Sequence, residues 1–128
     1  MSETTLKRIG WALSGLFALF MVFASALPKL AGMAVASDIM MQLGWPDAPL
    51  FLIGCLEAGL AALFLIPQTA VLAAVLLMAL LGGALVTNLR GHAELFGHTL
   101  FSIYLGIVMW GGLILRDKRV RAVFPLVR

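Results

Sequence analysis

Hydrophobic residues occupy four long runs in this chain, and short polar or proline-containing breaks separate them. A helix crosses the hydrocarbon core of a bilayer with about 20 mostly apolar residues. The runs are long enough for this and predict membrane spans at about residues 9–27, 48–66, 70–89 and 98–115. The pattern therefore predicts an all-α fold, a four-helix transmembrane bundle that forms a single domain over residues 1–128.

Proline and polar clusters mark the predicted ends of the spans. Pro28 lacks a backbone donor and disfavours helical geometry at Leu27, so the first span is expected to end at Leu27. The other breaks are turn-forming or polar segments at residues 44–47, 67–69 and 90–94. Four spans joined in this way bring both chain termini to one side of the membrane.

The segment between the first two spans, residues 30–43, is intermediate in character. Its apolar residues are interrupted by Ser37, Asp38 and Gln42, and it is too short to cross a bilayer. We expect a short interfacial helix or loop on the side opposite the termini. A re-entrant segment that dips into the bilayer is the alternative.

The first run also imitates a cleaved signal peptide, because Lys7 and Arg8 precede it and residues 24–26 resemble a cleavage site. The apolar core of a signal peptide has about 7–15 residues, and this run is longer. Cleavage would also leave three spans and put the termini on opposite sides. The first run is therefore interpreted as a retained span.

The composition excludes a soluble domain. The chain is 62% hydrophobic and 12% charged, whereas soluble domains carry about 25% charged residues. The net charge of +3 does not indicate nucleic-acid binding, because the basic residues flank the spans. Lys7, Arg8 and the tail at residues 116–128 lie on the terminal side, and only Lys29 and Arg90 lie opposite. The positive-inside rule therefore predicts cytoplasmic termini, with the basic tail contacting anionic lipid headgroups.

Thiol and metal chemistry find little support in the sequence. Cys55 is the single cysteine, so the chain cannot form a dithiol relay, and we expect Cys55 to pack as a small hydrophobic residue. His92, Glu94 and His98 are close in sequence, but their spacing matches no metal-binding signature. Haem held between helices would need histidines inside the spans, and only His98 comes near. No metal site is predicted.

Glu57 is the most informative residue, because it lies about halfway along the second apolar run. An acidic side chain at the centre of a bilayer costs roughly 2.5–3.5 kcal/mol, so such groups face the bundle interior. Lys29 is the candidate partner, although about 14 Å of helix separates the two levels. Together with residues toward the same side, they predict an outward-opening pocket lined by Lys29, Glu57, Asn88, Arg90, His98 and Ser102.

Two interpretations of these polar residues remain open at this point. Hydrogen bonds between helices would fix the bundle, and a small-molecule site would use the same groups to bind a ligand. The cost of keeping charge within apolar spans is the argument for the second interpretation.

Several segments resemble the DoxX-like family of small four-span bacterial membrane proteins. They are residues 20–26 and 28–30 (FMVFASA, PKL), 43–47 (LGWPD), 53–54 and 56–57 (IG, LE), 65–67 and 69–72 (LIP, TAVL), 82–84 (GGA), 88–90 (NLR), 98–101 (HTLF), 110–113 (WGGL) and 115–117 (LRD). The resemblance implies a multi-pass protein of the bacterial cytoplasmic (inner) membrane. It also places Lys29, Glu57, Asn88, Arg90 and His98 at polar positions of the family pattern, although Asn88 stands where many relatives have histidine.

The family name comes from a membrane subunit associated with quinol oxidase and thiosulfate:quinone oxidoreduction. The resemblance therefore implies an accessory subunit, or a small-molecule binding protein with quinone as cofactor, in a membrane redox system rather than a stand-alone enzyme. One alternative is an assembly or stability factor that docks to another membrane protein or redox enzyme. Another is a small transporter, for which four spans per chain would require a homo-oligomer. The lipid bilayer is a partner in every case.

Overall fold

The computed structural model describes residues 1–127, and within them the chain is helical and contains no strand. This confirms the prediction of an all-α fold with several long apolar helices. With continuous helices taken together, the elements are α1 (Glu3–Leu30), α2 (Ala34–Gln42), α3 (Leu50–Leu65), α4 (Ala70–Arg90), α5 (Leu95–Arg116) and α6 (Lys118–Val123).

The long helices have the length and composition of membrane spans. Helices α1, α4 and α5 contain 28, 21 and 22 residues and are apolar enough to cross a bilayer, whereas α3 is apolar but has 16 residues. Large side chains on their outer surface are 61–66% exposed, namely Leu16, Phe23, Phe51 and Ile107. Because so much exposed hydrocarbon is unfavourable in water, this surface faces lipid. The protein is a membrane protein.

Each of the four long helices packs against two of the others. Helix α1 contacts α5 and α3, and α4 contacts the same two helices from the other side. The core between them contains Phe17, Phe64, Leu77, Met109 and Leu113, with the Phe17 and Phe64 rings in an edge-to-face arrangement at 5.5 Å. We call the end where α1 begins and α5 ends the terminal end, and the opposite end, which carries α2, the α2 end.

Pro28 does not end the first helix, so the prediction that the first span stops at Leu27 is wrong. Residues Phe20–Ala26 form a π-helical segment in which the Leu27 N–H donates to the Val22 carbonyl, five residues back. Widening the helix in this way rearranges the hydrogen bonds before a proline, which cannot donate one itself. Helix α1 therefore continues to Leu30, and Lys29 lies on a helix rather than in a loop.

Helices α3, α4 and α5 begin and end within three residues of the predicted spans, whereas α1 begins at Glu3, before the predicted start at about residue 9. Residues 30–43 contain the short helix α2. Two other predictions need correction. Arg116 belongs to α5 and is buried, so it is not part of an exposed basic tail. Cys55 is exposed on α3 rather than packed in the interior. Arg128, the last residue of the predicted tail, lies outside the described residues.

Candidate binding cavity

Lys29 and Glu57 form an ion pair near the α2 end. The Lys29 Nζ atom lies 3.2 Å from both carboxylate oxygens of Glu57. It also donates to the carbonyl and the hydroxyl of Ser25, at 3.1 and 3.0 Å, and the Ser25 hydroxyl donates to Glu57 Oε2 at 3.0 Å. The ion pair and serine therefore form a closed, electrically neutral network in which each polar group has a partner.

The network forms because Lys29 points back along its own helix. Side chains on a helix lean toward its N-terminus, and Lys29 reaches Ser25, four residues earlier. Helix α1 also comes close to α3 at Gly54, where a Cβ atom would lie 3.1 Å from the Ala26 carbonyl oxygen. Gly54 precedes Glu57 by three residues on the same face of α3. Because of these two features, the Lys29 and Glu57 side chains meet, although their positions along the helices indicate a separation of about 14 Å.

A cavity of about 840 Å³ lies beside this network, and both Lys29 and Glu57 line it. Its walls come from the second half of α1, the first half of α3, the last turns of α4 and the first turns of α5, and α2 covers it. Most of the lining is apolar and includes Phe20, Met21, Leu80, Phe101 and Leu105. Ligand pockets have this size and this combination of apolar walls with a few polar groups.

All six candidate residues line this cavity, but they do not form one connected cluster. Within residues 1–127, Lys29 and Glu57 are the one pair among the six that a hydrogen bond or an ion pair joins. The Asn88 amide donates to the Ala84 carbonyl of its own helix at 2.8 Å. Arg90 and His98 are exposed at the rim of the cavity.

Ser102 differs from the other candidates because its hydroxyl has no partner. The residue is 7% exposed, and its Oγ atom is buried and forms no hydrogen bond within residues 1–127. Serines inside helices commonly donate to the carbonyl four residues earlier. Ser102 does not, so this residue of the cavity lining has a buried hydroxyl without a partner within residues 1–127.

Glu94 serves as the cap at the start of α5. Its carboxylate accepts hydrogen bonds from the backbone N–H groups of Gly97 and Phe96, at the start of α5. These bonds, with a smaller contribution from His98, lower the pKa of Glu94 below its ordinary value. The His98 Nδ1 atom lies 3.6 Å from the Glu94 carboxylate. In the part of the chain that the structure describes, no three His, Cys, Asp or Glu residues are grouped to hold a metal ion.

Two residues escaped the sequence prediction. Ser25 bridges the ion pair, and its position four residues before Lys29 on one helix face was a usable signal. Arg116 is buried at the terminal end, and no signal in the sequence distinguishes it from the exposed basic residues that follow it.

Long apolar helices with a lipid-facing outer surface, enclosing a cavity with a buried ion pair, define this chain as an integral membrane protein with a cavity among its helices. The model of the DoxX-like family matches residues 12–112, so the chain belongs to the DoxX-like family. The matched region includes all six candidate residues. No curated protein and no solved structure matches the chain significantly.

Proposed function

We propose that this protein binds a small, partly apolar molecule with carbonyl oxygens, such as a quinone, as an accessory component of a membrane redox system. It forms one domain in the bacterial cytoplasmic membrane, and α1, α3, α4 and α5 are its four spans. Helix α3 is about 24 Å long, which a bilayer accommodates by local thinning. The excess of basic residues at the terminal end supports cytoplasmic termini, so the cavity opens toward the outer side.

The observation that carries the proposal is the unpartnered Ser102 hydroxyl on the wall of the α2-end cavity. A buried polar group without a hydrogen bond costs about 1–3 kcal/mol. A carbonyl oxygen in the cavity would accept a hydrogen bond from Ser102, and the apolar walls would contact the rest of the molecule. The Arg90 side chain forms no hydrogen bond or ion pair within residues 1–127 and supplies a second donor at the rim.

The ion pair has a positioning role in this proposal. The Lys29 ammonium group already donates hydrogen bonds to Ser25 and Glu57, so its role is to orient the Glu57 carboxylate and not to bind the ligand directly. Because the pair is neutral as a whole, it does not require a charged ligand. Glu57 is the group that would exchange a proton with a bound molecule, and Asn88 and His98 complete the polar part of the wall.

Quinone titration of the purified protein tests the proposal. Trp45 lines the cavity, so quenching of tryptophan fluorescence by a short-chain benzoquinone in nanodiscs reports binding. We expect saturable binding by the wild-type protein. Ser102→Ala should weaken it about fivefold, because one hydrogen bond contributes about 1 kcal/mol.

Ser14→Ala is the matched control for this experiment. The Ser14 hydroxyl is also buried without a partner within residues 1–127, but it lies against Gly112 between α1 and α5, away from the cavity. Ser14→Ala should bind quinone as the wild type does. Quenching that does not saturate, or an equal loss in the two serine variants, would contradict the proposal.

A further inference from the structure

A second cavity, of about 570 Å³, lies at the terminal end and is unrelated to the proposed quinone site. We call it the terminal cavity. Its walls come from the first turns of α1, the last turn of α5, the start of α4 and the start of α6. Four charged residues at its rim are exposed, namely Glu3, Lys7, Lys118 and Arg119. The cavity therefore opens to water at the terminal end.

Arg116 forms the buried part of this cavity. The residue is 8% exposed, and its guanidinium lies 4.2 Å from the Trp11 ring centroid and 4.7 Å from the Phe64 ring centroid. Its Nη2 atom donates to the Phe64 carbonyl. These contacts hold the guanidinium in one position before any ligand arrives.

The same guanidinium lacks a negative partner. Its Nη1 atom is buried without a hydrogen bond, and no carboxylate of residues 1–127 lies within 4.0 Å of it. A buried charge without a counter-charge is unfavourable. The aromatic rings and one carbonyl offset part of that energy, and the Nη1 donor of this cavity-lining residue remains without a partner within residues 1–127.

The other charges around the cavity make it positive. The carboxylate of Glu3 is paired with Arg121 at 2.9 Å, and that of Asp117 is paired with Arg119 at 2.8 Å. Lys7 and Lys118 line the cavity and form no ion pair within the described residues. Both acidic residues of the cavity are therefore neutralised, while three of its cations are not.

We propose that the terminal cavity binds the phosphate group of an anionic phosphate ester, with Arg116 as the fixed donor and Lys7 and Lys118 as mobile cations at the rim. Guanidinium groups bind phosphate oxygens in a directed way, and lysines add attraction without fixed geometry. An acidic phospholipid headgroup and a soluble phosphate ester share this chemistry. The site is a defined pocket around one buried arginine, and differs from a general attraction of a basic tail to a membrane.

Native mass spectrometry of the detergent-solubilised protein tests the site by titration with phosphatidylglycerol and phosphatidylcholine. Both lipids carry a phosphate diester, but the choline group is repelled by the rim lysines, so phosphatidylglycerol should bind more tightly. Arg116→Gln should abolish this preference. Lys7→Gln should weaken phosphatidylglycerol binding roughly fivefold, as expected for one lysine near an anionic headgroup.

Arg8→Gln is the matched control, because Arg8 is adjacent to Lys7 and carries the same charge but does not line the cavity. It should leave the lipid preference unchanged. If Arg116→Gln fails to fold by circular dichroism, the comparison of Lys7→Gln with Arg8→Gln carries the test. Equal binding of the two lipids to the wild type, or equal losses in these two variants, would overturn the proposal.

Competition with inorganic phosphate distinguishes the two sources of the ligand. Displacement of phosphatidylglycerol by phosphate would assign the site to soluble phosphate esters as well as lipids. Binding of phosphatidylglycerol that phosphate does not displace would assign it to the lipid headgroup. Both results support an anion site, and either is separate from the quinone titration, which reports on the opposite end of the molecule.

Discussion

The two ends of the molecule bury charge in different ways. At the α2 end, Lys29 and Glu57 neutralise each other and share Ser25 as a partner. At the terminal end, Arg116 is as buried as Glu57, but its guanidinium contacts two aromatic rings and a backbone carbonyl and forms no ion pair within residues 1–127. A cavity beside a neutral pair suits an uncharged ligand, whereas a cavity beside a lone cation suits an anion. The net charge beside each cavity therefore indicates the charge of the ligand that the cavity suits.

The two ends also differ in how closely α1 packs against its neighbouring helices. At the terminal end, α1 and α5 touch through their backbones, and a Cβ atom on Gly10 would lie 2.5 Å from the backbone nitrogen of Arg116. At the α2 end, α1 comes close to α3 at Gly54, but an added Cβ atom there would lie 3.0 Å from the Leu30 side chain and 3.1 Å from the Ala26 carbonyl oxygen, which are longer distances than at Gly10. The backbone of α1 is therefore in tighter contact with its neighbour at the terminal end, and the larger of the two cavities lies at the α2 end.

Breaking the ion pair should have the largest effect. Removing one member of a buried pair leaves an uncompensated charge, and we expect Lys29→Ala or Glu57→Ala to destabilise the protein by about 3 kcal/mol. The double variant Lys29→Met/Glu57→Met should lose much less than the sum of the single changes, because it leaves no charge behind. Unfolding in mixed micelles measures all the variants. Additive losses would show that the two residues do not stabilise each other.

Alanine at the glycine contacts should have the next largest effect, and it should be greater at the terminal end. Gly10→Ala would press against backbone atoms of Arg116 and Gly112, which cannot move separately, and should cost about 2–3 kcal/mol. The added Cβ atom of Gly54→Ala would lie 3.0 Å from the Leu30 side chain and 3.1 Å from the Ala26 carbonyl oxygen, and because these distances are longer than those at Gly10 the change should cost about 1 kcal/mol.

Gly59→Ala is the control for both changes, since nothing lies within 4 Å of its added Cβ and alanine favours a helix. It should leave the melting temperature unchanged or raise it. If Gly54→Ala lowers the melting temperature more than Gly10→Ala does, the contrast in packing between the two ends is wrong.

The smallest expected effect is on the pH dependence of stability, through the carboxylates of Glu94 and Asp117. Glu94 caps α5 at the α2 end, and Asp117 caps α6 at the terminal end. The pKa of Glu94 is lowered mainly by the backbone N–H groups of Gly97 and Phe96, and that of Asp117 mainly by the Arg119 side chain. A carboxyl group whose pKa is lowered on folding stabilises the folded state when the pH is above its ordinary pKa, which is 4.5 for Glu94 and 3.8 for Asp117. This contribution is lost as the pH falls below that ordinary pKa and through the lowered one.

Salt should separate these two groups. An exposed side-chain ion pair is screened by salt more than hydrogen bonds from a fixed backbone are. Carboxyl titration by NMR in micelles should therefore show the pKa of Asp117 rising toward its ordinary value in high salt, while that of Glu94 changes less. An equal rise of the two values would mean that the backbone hydrogen bonds do not control Glu94.

Much of the candidate site followed from the sequence for an energetic reason. Glu57 is expensive to expose to hydrocarbon, so its inward orientation was predictable, and the polar ends of neighbouring spans identified the other residues that line the cavity. The distance between Lys29 and Glu57 was not predictable. It depends on a π-helical segment that carries α1 past Pro28 and on a close approach of α1 and α3 at Gly54, and the second of these is a property of paired helices.

Local properties of the sequence were sufficient for the all-α fold and the membrane environment, because the length and hydropathy of a run do not depend on its neighbours. The tertiary structure alone decided which charges are compensated. Arg116 looks like the basic residues that follow it, and only Trp11 and Phe64, distant in sequence, enclose it. Burial and pairing depend on what the rest of the fold brings to a side chain, and the sequence around that side chain does not contain this information.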